Sequence, residues 1–439
     1  MNNQLDNEIM VRDNNLNFNA SLKRLFGILV PSGIENKGLM YDGKDFTIDC
    51  SDKINLDSFP NYDIIKNRDS VIGKSEFFGE GVFVFRYGPV TSWIVEPGVF
   101  HIYTYGERIL GMNIDVSYKS RSIELKLIGL NPLEAIPFVE NIFGNFSFSH
   151  SLAFTNAIEN ILGIELNPII KSYKIIALEL ERIYNHLYVF SQLANAAAQK
   201  VLTSHVQFLF EESLRTNFIF SRSRYLKKLN SIGKLNFYPE KKILNIIQER
   251  VSELNSELKI LYARTLESKN FLDRLHATSI ISSEYALNNS LSGPSLRACG
   301  IKEDLRLHDK FYEDLNIPTI SFGDSLARLE VRIEEISESI KIINDKIDFI
   351  DKVKNLVPFE EAKFSLENIS GSSIGAVESP SGIIANYVEL QNGKIKNIYI
   401  STPSLFGFNA IKDSLPGMIF TDFPFSVDSF GSFFADAAR

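Results

Sequence analysis

Three ionisable side chains at helical spacing are the first residues of the sequence that could do chemistry. Glu179, Arg182 and His186 occupy positions i, i+3 and i+7 and therefore share one face of a helix. Because their neighbours are apolar, the trio forms either a salt-bridged surface stripe or a buried polar network between helices. Buried charges are tolerated only when they are paired, so the second alternative requires partners from other elements.

A histidine in an aromatic segment is the second candidate. His150 lies in the segment 141–151, which contains several phenylalanines and opens a helix that we expect to continue to Ile161. It is either an ordinary hydrogen-bonded histidine or a proton-handling residue in a pocket. The composition of the segment leaves both alternatives open.

The cysteines exclude several kinds of redox site. The sequence has two, Cys50 and Cys299, each isolated, so they cannot supply a disulfide framework, a Cys-x-x-Cys motif or the thiolates of an iron–sulfur cluster. We interpret them as neutral thiols in a reducing compartment. The sequence also has no P-loop, no Gly-x-Gly-x-x-Gly after a strand and no His-Glu-x-x-His. Redox chemistry would therefore need a diffusible cofactor or one held by a partner, and we expect no metal on this chain.

Composition indicates a globular protein. The 439 residues are 44% hydrophobic and 23% charged, which corresponds to roughly two to three domain-sized pieces. The net charge of −8 argues against nucleic acid as a partner. No run of about 18 apolar residues predicts a membrane span, and the polar amino terminus is unlike a signal peptide.

Strands and long helices must position these residues. Runs at 82–85, 99–103 and 109–112 predict an antiparallel sheet that ends near Tyr118. The pair Asn167-Pro168 is a helix start signal, and apolar residues at steps of three and four continue that helix to Lys200. Further helices are predicted at about 203–228, 240–275 and 329–350, and four long helices indicate a bundle.

The carboxyl-terminal part returns to strands. Asn392-Gly393 between apolar runs at 383–390 and 395–400 predicts a β-hairpin, and the phenylalanine-rich tail 421–439 is expected to be buried. The fold class is therefore α+β, with a central bundle of long α-helices, an N-terminal antiparallel β domain, and a C-terminal β-hairpin plus buried tail. The predicted divisions are an appendage at 1–75, the β domain at 76–130, the bundle at 131–357, and the hairpin and tail at 358–439.

Short motifs along most of the chain carry a family resemblance. In order, they are Gly79-Glu80-Gly81, Gly88-Pro89-Val90, Glu96-Pro97-Gly98, residues 148–154, Leu178 to Arg182 with His186, Arg224-Tyr225-Leu226, residues 271–275, Gly293-Pro294, Leu296-Arg297-Ala298, Asp304-Leu305-Arg306, Gly323-Asp324 with Arg328, Arg332 to Ile336, Glu378-Ser379-Pro380 with Gly382, and Asp422-Phe423-Pro424. Their order and spacing resemble the family that joins the large subunit of membrane-bound [NiFe] hydrogenases, such as that of formate hydrogenlyase, to the quinone-site subunit of respiratory complex I. The resemblance implies the hydrogenase large-subunit fold.

Departures from this family concern the metal site. Two cysteine pairs hold nickel and iron in the hydrogenases. By the resemblance, the first pair corresponds here to Phe143 and Phe146, and the second to Phe433 and Asp436. Phenyl rings cannot replace the thiolates that soft metal centres require. The family's Pro-Arg-Gly or Pro-Lys-Gly reads Pro-Ser-Gly, so Ser381 replaces a cation that lines the pocket. The resemblance therefore implies a subunit that is not an active hydrogenase.

What the resemblance still implies is a candidate quinone site. The equivalent space in complex I admits a quinone headgroup close to an iron–sulfur cluster of the neighbouring subunit. Reduction of a quinone consumes two protons, so the site needs an apolar slot and proton donors, for which His150 and Asp436 are the candidates. Against this, the stretch Thr91 to Gly98 lacks the histidine typical of complex I, although His101 follows.

Two hypotheses remain. In the first, the chain is an oxidoreductase subunit of a membrane-associated, NADH dehydrogenase-like complex that uses NAD. It binds no cofactor itself and passes electrons from a partner's iron–sulfur cluster to a quinone or related acceptor. In the second, Phe143, Phe146 and Phe433 fill the old pocket and the chain is a structural scaffold.

Both hypotheses imply the same partners. They are an iron–sulfur small subunit, other subunits of a complex I-like assembly and hydrophobic membrane subunits, with no nucleic acid. We expect peripheral attachment at the cytoplasmic side of the membrane. In this setting Glu179, Arg182 and His186 would tie helices together or tune the neighbouring cluster, and we expect the former.

Overall fold

A computed structural model describes residues 23–29, 37–49, 71–73, 77–91, 96–353 and 358–439. The strands are β1 (Arg24–Leu29), β2 (Lys37–Tyr41), β3 (Phe46–Asp49), β4 (Val71–Ile72), β5 (Val82–Tyr87), β6 (Val99–Tyr105), β7 (Arg108–Asp115), β8 (Asn230–Ser231), β9 (Lys234–Leu235), β10 (Gly371–Ser379), β11 (Gly382–Gln391) and β12 (Lys394–Ser401). The helices are α1 (Ile123–Leu127), α2 (Pro132–Glu140), α3 (Ser147–Leu162), α4 (Pro168–Ala196), α5 (Lys200–Ser221), α6 (Lys241–Thr265), α7 (Lys269–Leu275), α8 (Ser283–Asn288), α9 (Gly293–Arg297), α10 (Ser325–Val353), α11 (Pro403–Ser414), α12 (Phe423–Phe430) and α13 (Phe434–Ala438). Short 3₁₀ helices cover Gly144–Phe146, Leu305–His308 and Phe420–Asp422.

The amino-terminal part contains two antiparallel sheets. Strands β5, β6 and β7 form the sheet predicted between residues 82 and 118, and the short β4 joins its other edge in the order β4-β7-β6-β5. Strands β1, β2 and β3 form a second sheet within the region predicted to be an amino-terminal appendage. The ring of Phe26 in β1 contacts that of Phe406 in α11 at 5.4 Å between centroids, so this sheet packs on the carboxyl-terminal part of the chain.

The long helices form the predicted bundle. Helix α4 packs against α5 and α10, and α6 closes the group by packing on α5 and α10. At the start of α4, the Asn167 side chain accepts a hydrogen bond from the Ile169 amide at 2.9 Å, and Pro168 occupies the first position. This is the capping arrangement expected from Asn-Pro.

Three predicted helix boundaries differ from the structure. Helix α4 ends at Ala196 and not at Lys200. Helix α5 ends at Ser221 because Arg222 takes the left-handed conformation at φ 63°, which stops an α-helix. The single helix expected at 240–275 is two, with a break after Thr265, and Ser268 is the N-cap residue of α7.

The carboxyl-terminal sheet contains one strand that the sequence pattern missed. The β11–β12 hairpin turns at Asn392 and Gly393, whose φ values of 51° and 75° fit the predicted turn. Strand β10 pairs with β11 on the other side, yet its small residues give no strand signal. Gly375 explains the composition, since a side chain there would collide with the Ala153 carbonyl of α3.

The aromatic tail is buried, as predicted. In α12 and α13, Phe423, Phe425, Phe430 and Phe434 are each at most 3% exposed, whereas Phe433 between the helices is partly exposed. Among the described residues, no helix combines the length and the apolar character that crossing a bilayer requires.

Candidate functional site

Three phenylalanines from two distant parts of the sequence meet at one place. The rings of Phe143 and Phe433 stack at 4.4 Å between centroids. Phe146 meets both rings edge-on, at 5.1 Å from Phe143 and 5.6 Å from Phe433. The resemblance had assigned all three to former ligand positions, and the structure brings them together. Since phenyl rings have no lone pairs to donate, this donor set does not fit a nickel–iron centre.

A cavity of about 260 Å³ adjoins these rings. Phe143, Phe433 and Phe434 form an apolar wall of the cavity. Helix α4 contributes Tyr188 and helix α5 contributes Phe210. Polar groups also face the cavity, namely Glu96, Asn145, Gln192, Asp428 and Ser432. The stacked rings are therefore one wall of an open slot, which we call the first cavity.

Glu96 is a residue of the first cavity that the sequence analysis did not select as a site residue. Its Oε2 accepts a hydrogen bond from the Ala435 amide at 2.8 Å. The pKa of Glu96 is raised to about 7, mainly by burial; the Ala435 bond opposes the rise and the nearby Asp436 adds to it. A carboxyl group that titrates near neutral pH can both hold and release a proton. The signal was the Glu96-Pro97-Gly98 motif, which was used only as a mark of the family.

His150 and Asp436 form a pair behind the cavity wall. His150 Nε2 lies 2.8 Å from Asp436 Oδ1, and both side chains are fully buried. The other Asp436 oxygen accepts a bond from the Ser404 amide at 3.3 Å, and His150 Nδ1 has no partner within the described part of the chain. Neither residue lines the first cavity. The structure thus joins the two predicted catalytic residues to each other, and Glu96, which lines the cavity, is close enough to Asp436 to feel its charge.

Ser381 lies on the far side of Gly431 from the first cavity. Gly431 lines that cavity, and a Cβ atom on it would be 3.1 Å from Ser381 Oγ and 2.5 Å from Arg332 Nη2. The left-handed φ of Gly431, 61°, and this close approach both require glycine. A guanidinium group from α10 therefore reaches the place where the sequence suggested that a cation had been lost.

The trio Glu179, Arg182 and His186 is buried. Of the two alternatives left open by the sequence, it is therefore a buried polar network and not a surface stripe. Glu179 accepts bonds from Arg182 Nε at 3.1 Å, from Ser339 Oγ at 2.7 Å and from Arg306 Nη1 at 3.1 Å. Burial would raise the pKa of Glu179, but Arg306 and Arg182 outweigh it and hold the pKa below its usual range. The trio is thus part of a paired network.

The remaining members link α4 to α9, α10 and β10. His186 Nε2 bonds Glu335 at 2.8 Å, and Arg182 Nη2 donates to the Glu378 carbonyl at 2.7 Å. Burial favours protonation of Glu335, yet Arg297 and His186 hold its pKa well below the usual range. We call the set the arginine–carboxylate network; it comprises Glu179, Arg182, His186, Arg297, Asp304, Arg306, Arg332, Glu335 and Glu378.

The cysteines play no visible part in this region. Cys299 is buried, its Sγ lies 3.3 Å from the carbonyls of Ile281 and Ser295, and burial raises its pKa to about 11. Cys50 lies outside the described residues. Within the described ranges, no group of three or more His, Cys, Asp or Glu side chains could hold a metal ion.

A helical bundle flanked by antiparallel sheets, with an aromatic slot where the resemblance placed metal ligands, defines the class as the large-subunit fold of the hydrogenase and complex I type. The family model for the "Respiratory-chain NADH dehydrogenase, 49 Kd subunit" matches residues 211–439. The chain belongs to this family.

Individual relatives agree with this assignment. The chain is 24% identical over 411 residues to an NADH-quinone oxidoreductase subunit of Akkermansia muciniphila, covering 86% of this chain and 98% of the relative. It is 25% identical over 324 residues to the alpha subunit of the membrane-bound hydrogenase of Pyrococcus furiosus, covering 70% and 75%. A chain of the membrane-bound sulfane sulfur reductase, an archaeal respiratory membrane complex, shares the fold with a TM-score of 0.76 at 20% identity, over 83% of this chain and all of the other.

Proposed function

We propose that this protein is the cluster-free large subunit of a membrane-associated, complex I-like redox complex, and that its first cavity receives a quinone headgroup or a related small acceptor. Electrons would come from an iron–sulfur cluster in a partner subunit. The names of the relatives support the type of complex, and the single observation that carries the acceptor site is the slot beside Phe143 and Phe433. Its volume of about 260 Å³ lies just below the range of ligand pockets, which is roughly 300–1,000 Å³, and suits a single ring system.

The walls of the slot suit a flat, apolar ring. The stacked pair Phe143 and Phe433 offers an aromatic face, and aromatic rings pack well in offset or edge-on arrangements. Tyr188 adds a hydroxyl-bearing ring to the same cavity. An acceptor held between these groups would be shielded from water on its faces and would meet polar groups at its rim.

Protons would reach the acceptor through Glu96. Two-electron reduction of a quinone to a quinol takes up two protons, and Glu96 is the cavity carboxyl with a pKa of about 7. His150 and Asp436 remain proposed participants, but as a pair that acts through Glu96, because Asp436 raises the pKa of Glu96 and neither lines the cavity. We therefore assign contact with the acceptor to Glu96 and a positioning role to the pair.

The alternative function is a scaffold whose old pocket is closed by aromatic side chains. The close stacking of Phe143 on Phe433 and the burial of Phe146 favour it, because these rings occupy part of the space. The open volume beside them favours the acceptor site.

The attachment of the subunit follows from the same proposal. We propose peripheral attachment to the cytoplasmic side of the membrane through hydrophobic partner subunits. An iron–sulfur small subunit would cover the first cavity, and nucleic acid has no role.

Binding of quinone analogues to the assembled complex tests the proposal. The complex would be reconstituted with its cluster-bearing partner, and binding of a short-chain ubiquinone analogue measured for wild type, Glu96→Gln, His150→Ala and Asp436→Ala. We expect wild type to bind and Glu96→Gln to bind but to lose roughly 10²–10⁴-fold in reduction rate, the usual contribution of a general acid. The exposed Glu107→Gln should behave as wild type. Absence of binding in every form would overturn the proposal in favour of the scaffold.

A further inference from the structure

A second, larger cavity lies on the other end of the arginine–carboxylate network. It has a volume of about 650 Å³ and lies between α3, α4, β10 and the segment 305–312. The exposed side chains of Glu165 and Lys310 at its rim show that it opens to solvent. Its inner wall includes Arg306 and Glu378, both members of the network. Water can therefore reach one end of a buried charge network whose other end adjoins the first cavity.

Glu378 is the carboxyl group of the network that lines this second cavity. Its Oε1 accepts a bond from Arg297 Nη1 at 3.0 Å, and its Oε2 accepts one from the Leu305 amide at 3.3 Å. The pKa of Glu378 is raised to about 7, mainly by burial and also by the nearby Asp304, while Arg297 opposes the rise. The titratable and charged side chains that face it come from β2, α4, α9 and the segment 304–306, and they are Tyr41, Arg182, Arg297, Asp304 and Arg306.

Continuous contacts lead from Glu378 towards the first cavity. Arg297 bridges two carboxyl groups, since its Nη1 bonds Glu378 and its Nε bonds Glu335 Oε1 at 2.7 Å. Glu335 Oε2 bonds His186 Nε2 at 2.8 Å, and His186 Nδ1 meets Arg332 Nη1 at 3.1 Å. Arg332 Nη2 then donates to the Phe430 carbonyl at 3.0 Å, next to Gly431 in the cavity wall.

The chemistry of these contacts fixes the state of His186. A guanidinium group can only donate, so His186 Nδ1 must accept a hydrogen bond from Arg332. His186 Nε2 must then carry the hydrogen and donate a hydrogen bond to Glu335. Burial lowers the pKa of His186 to about 3, in agreement with a neutral ring. Arginines keep their protons near neutral pH, so protons do not pass through the network from end to end. Its two ends are coupled only by electrostatic interaction.

The charges of the network make Glu378 the variable member. Four arginines face four carboxyl groups, Glu179, Asp304, Glu335 and Glu378, around a neutral histidine. Three of the carboxyls have pKa values held below their usual range by arginines that outweigh their burial. The network is therefore neutral when Glu378 is ionised and carries one positive charge when Glu378 is protonated.

We propose that Glu378 is a proton-binding site that takes up a proton from the second cavity when negative charge arrives in the first cavity. In this step the Glu378 carboxylate and one proton from water form a carboxylic acid, and the network gains one positive charge. The electron comes from the partner's iron–sulfur centre and reduces the acceptor. The acceptor's own two protons are separate and enter through Glu96. The coupling rests on the proposed function of the first cavity, whereas the titration of Glu378 does not.

Infrared titration of the purified full chain tests the proton site without any acceptor. The carbonyl stretch of a protonated carboxyl group would be followed against pH in wild type and in Glu378→Gln. We expect a component that disappears near neutral pH in wild type and is missing in Glu378→Gln. The matched control is Glu140→Gln, because burial also raises the pKa of Glu140 to about 7 but its bonds are to the Lys228 amide, outside the network. That control should lose a different component and keep the one assigned to Glu378.

A charge placed in the first cavity tests the coupling, again without an acceptor. Asn145→Asp and Gln192→Glu each add a carboxylate at the cavity with little change of shape. We expect each to raise the midpoint of the Glu378 component by a fraction of a pH unit, the size expected for an interaction between charges that do not touch. The exposed Gln207→Glu on α5 adds the same charge elsewhere and should leave the midpoint unchanged.

The outcomes separate this inference from the proposed function. A Glu378 component that titrates in the ordinary carboxyl range, or a midpoint unmoved by both cavity carboxylates, overturns the inference even if quinone analogues bind. A shifted midpoint supports it even if no analogue binds, in which case only the proposed acceptor fails. If Glu378→Gln does not fold, Glu378→Asp serves in its place, since it keeps the carboxyl and changes the frequency of its band.

Discussion

The first cavity and the arginine–carboxylate network lie on two sides of Gly431. They differ in how their side chains are packed and paired. The cavity is walled mainly by aromatic rings and keeps open volume, with Glu96 as a carboxyl that burial brings to a pKa of about 7. In the network, each charged side chain is fixed by bonds to others from distant parts of the chain. The difference indicates that a ligand can enter and leave the cavity, while the paired charges of the network hold their side chains in place.

The largest effect should follow from removal of one network charge. Glu335→Gln leaves Arg297 and Arg182 without their central partner in a fully buried place. Breaking a buried ion pair on one side typically costs about 3–5 kcal/mol, and we expect a loss of this size in the free energy of unfolding measured with urea. The exposed pair of Glu211 and Arg224 is the control, and Glu211→Gln should lose about 0–1 kcal/mol. Equal losses in the two variants would contradict a rigid network.

Removal of the buried ring that packs behind the cavity wall should have the next largest effect. Phe146 is fully buried, and Phe146→Ala should lose about 3 kcal/mol of unfolding free energy, the lower end for such truncations, because the adjacent open space allows relaxation. Phe433→Ala should lose less, since that ring is partly exposed. Urea unfolding of both variants gives the comparison. A larger loss for Phe433→Ala would show that the exposed ring, and not Phe146, supports the wall.

Local signals in the sequence were sufficient for part of this architecture. Asn392-Gly393 specified its hairpin because the turn needs two residues that accept positive φ, and Asn167-Pro168 fixed the start of α4. The meeting of Phe143 and Phe146 with Phe433 came from the family resemblance, since Phe433 lies about 290 residues further along the sequence and no spacing rule joins it to the other two.

Other features depended on contacts that no local pattern encodes. The helical spacing of Glu179, Arg182 and His186 left the surface and the interior as equal alternatives, because their partners Arg306 and Glu335 come from other elements. Strand β10 escaped detection since close packing against α3 selects small residues. Glu96 was missed because its raised pKa results from burial by the distant carboxyl-terminal tail.

The pH dependence of stability should distinguish the cavity carboxyl from exposed ones. The folded pKa of Glu96, about 7, lies above its ordinary value of 4.5. Its contribution to stability is therefore complete below about pH 4.5 and is lost as the pH rises towards 7. Between pH 5 and 6 the loss is about 1 kcal/mol, so the unfolding free energy of Glu96→Gln should fall by that much less than that of wild type. Glu107→Gln, in an exposed turn, should follow wild type, and an unchanged pH dependence in Glu96→Gln would contradict a shifted carboxyl.

The smallest expected effect is the coupling between the two stacked rings of the cavity wall. Phe143 and Phe433 lie 4.4 Å apart at an interplanar angle of 28°, and such pairs contribute about 0.5–1.5 kcal/mol beyond the area they bury. Because both rings are partly exposed, we expect about 0.5–1 kcal/mol of coupling in a double-mutant cycle of Phe143→Leu, Phe433→Leu and the combined variant. Additive losses would mean that the rings do not stack in solution. The wall beside the slot would then be mobile, and the contrast with the rigid network on the other side of Gly431 would be sharper than the structure shows.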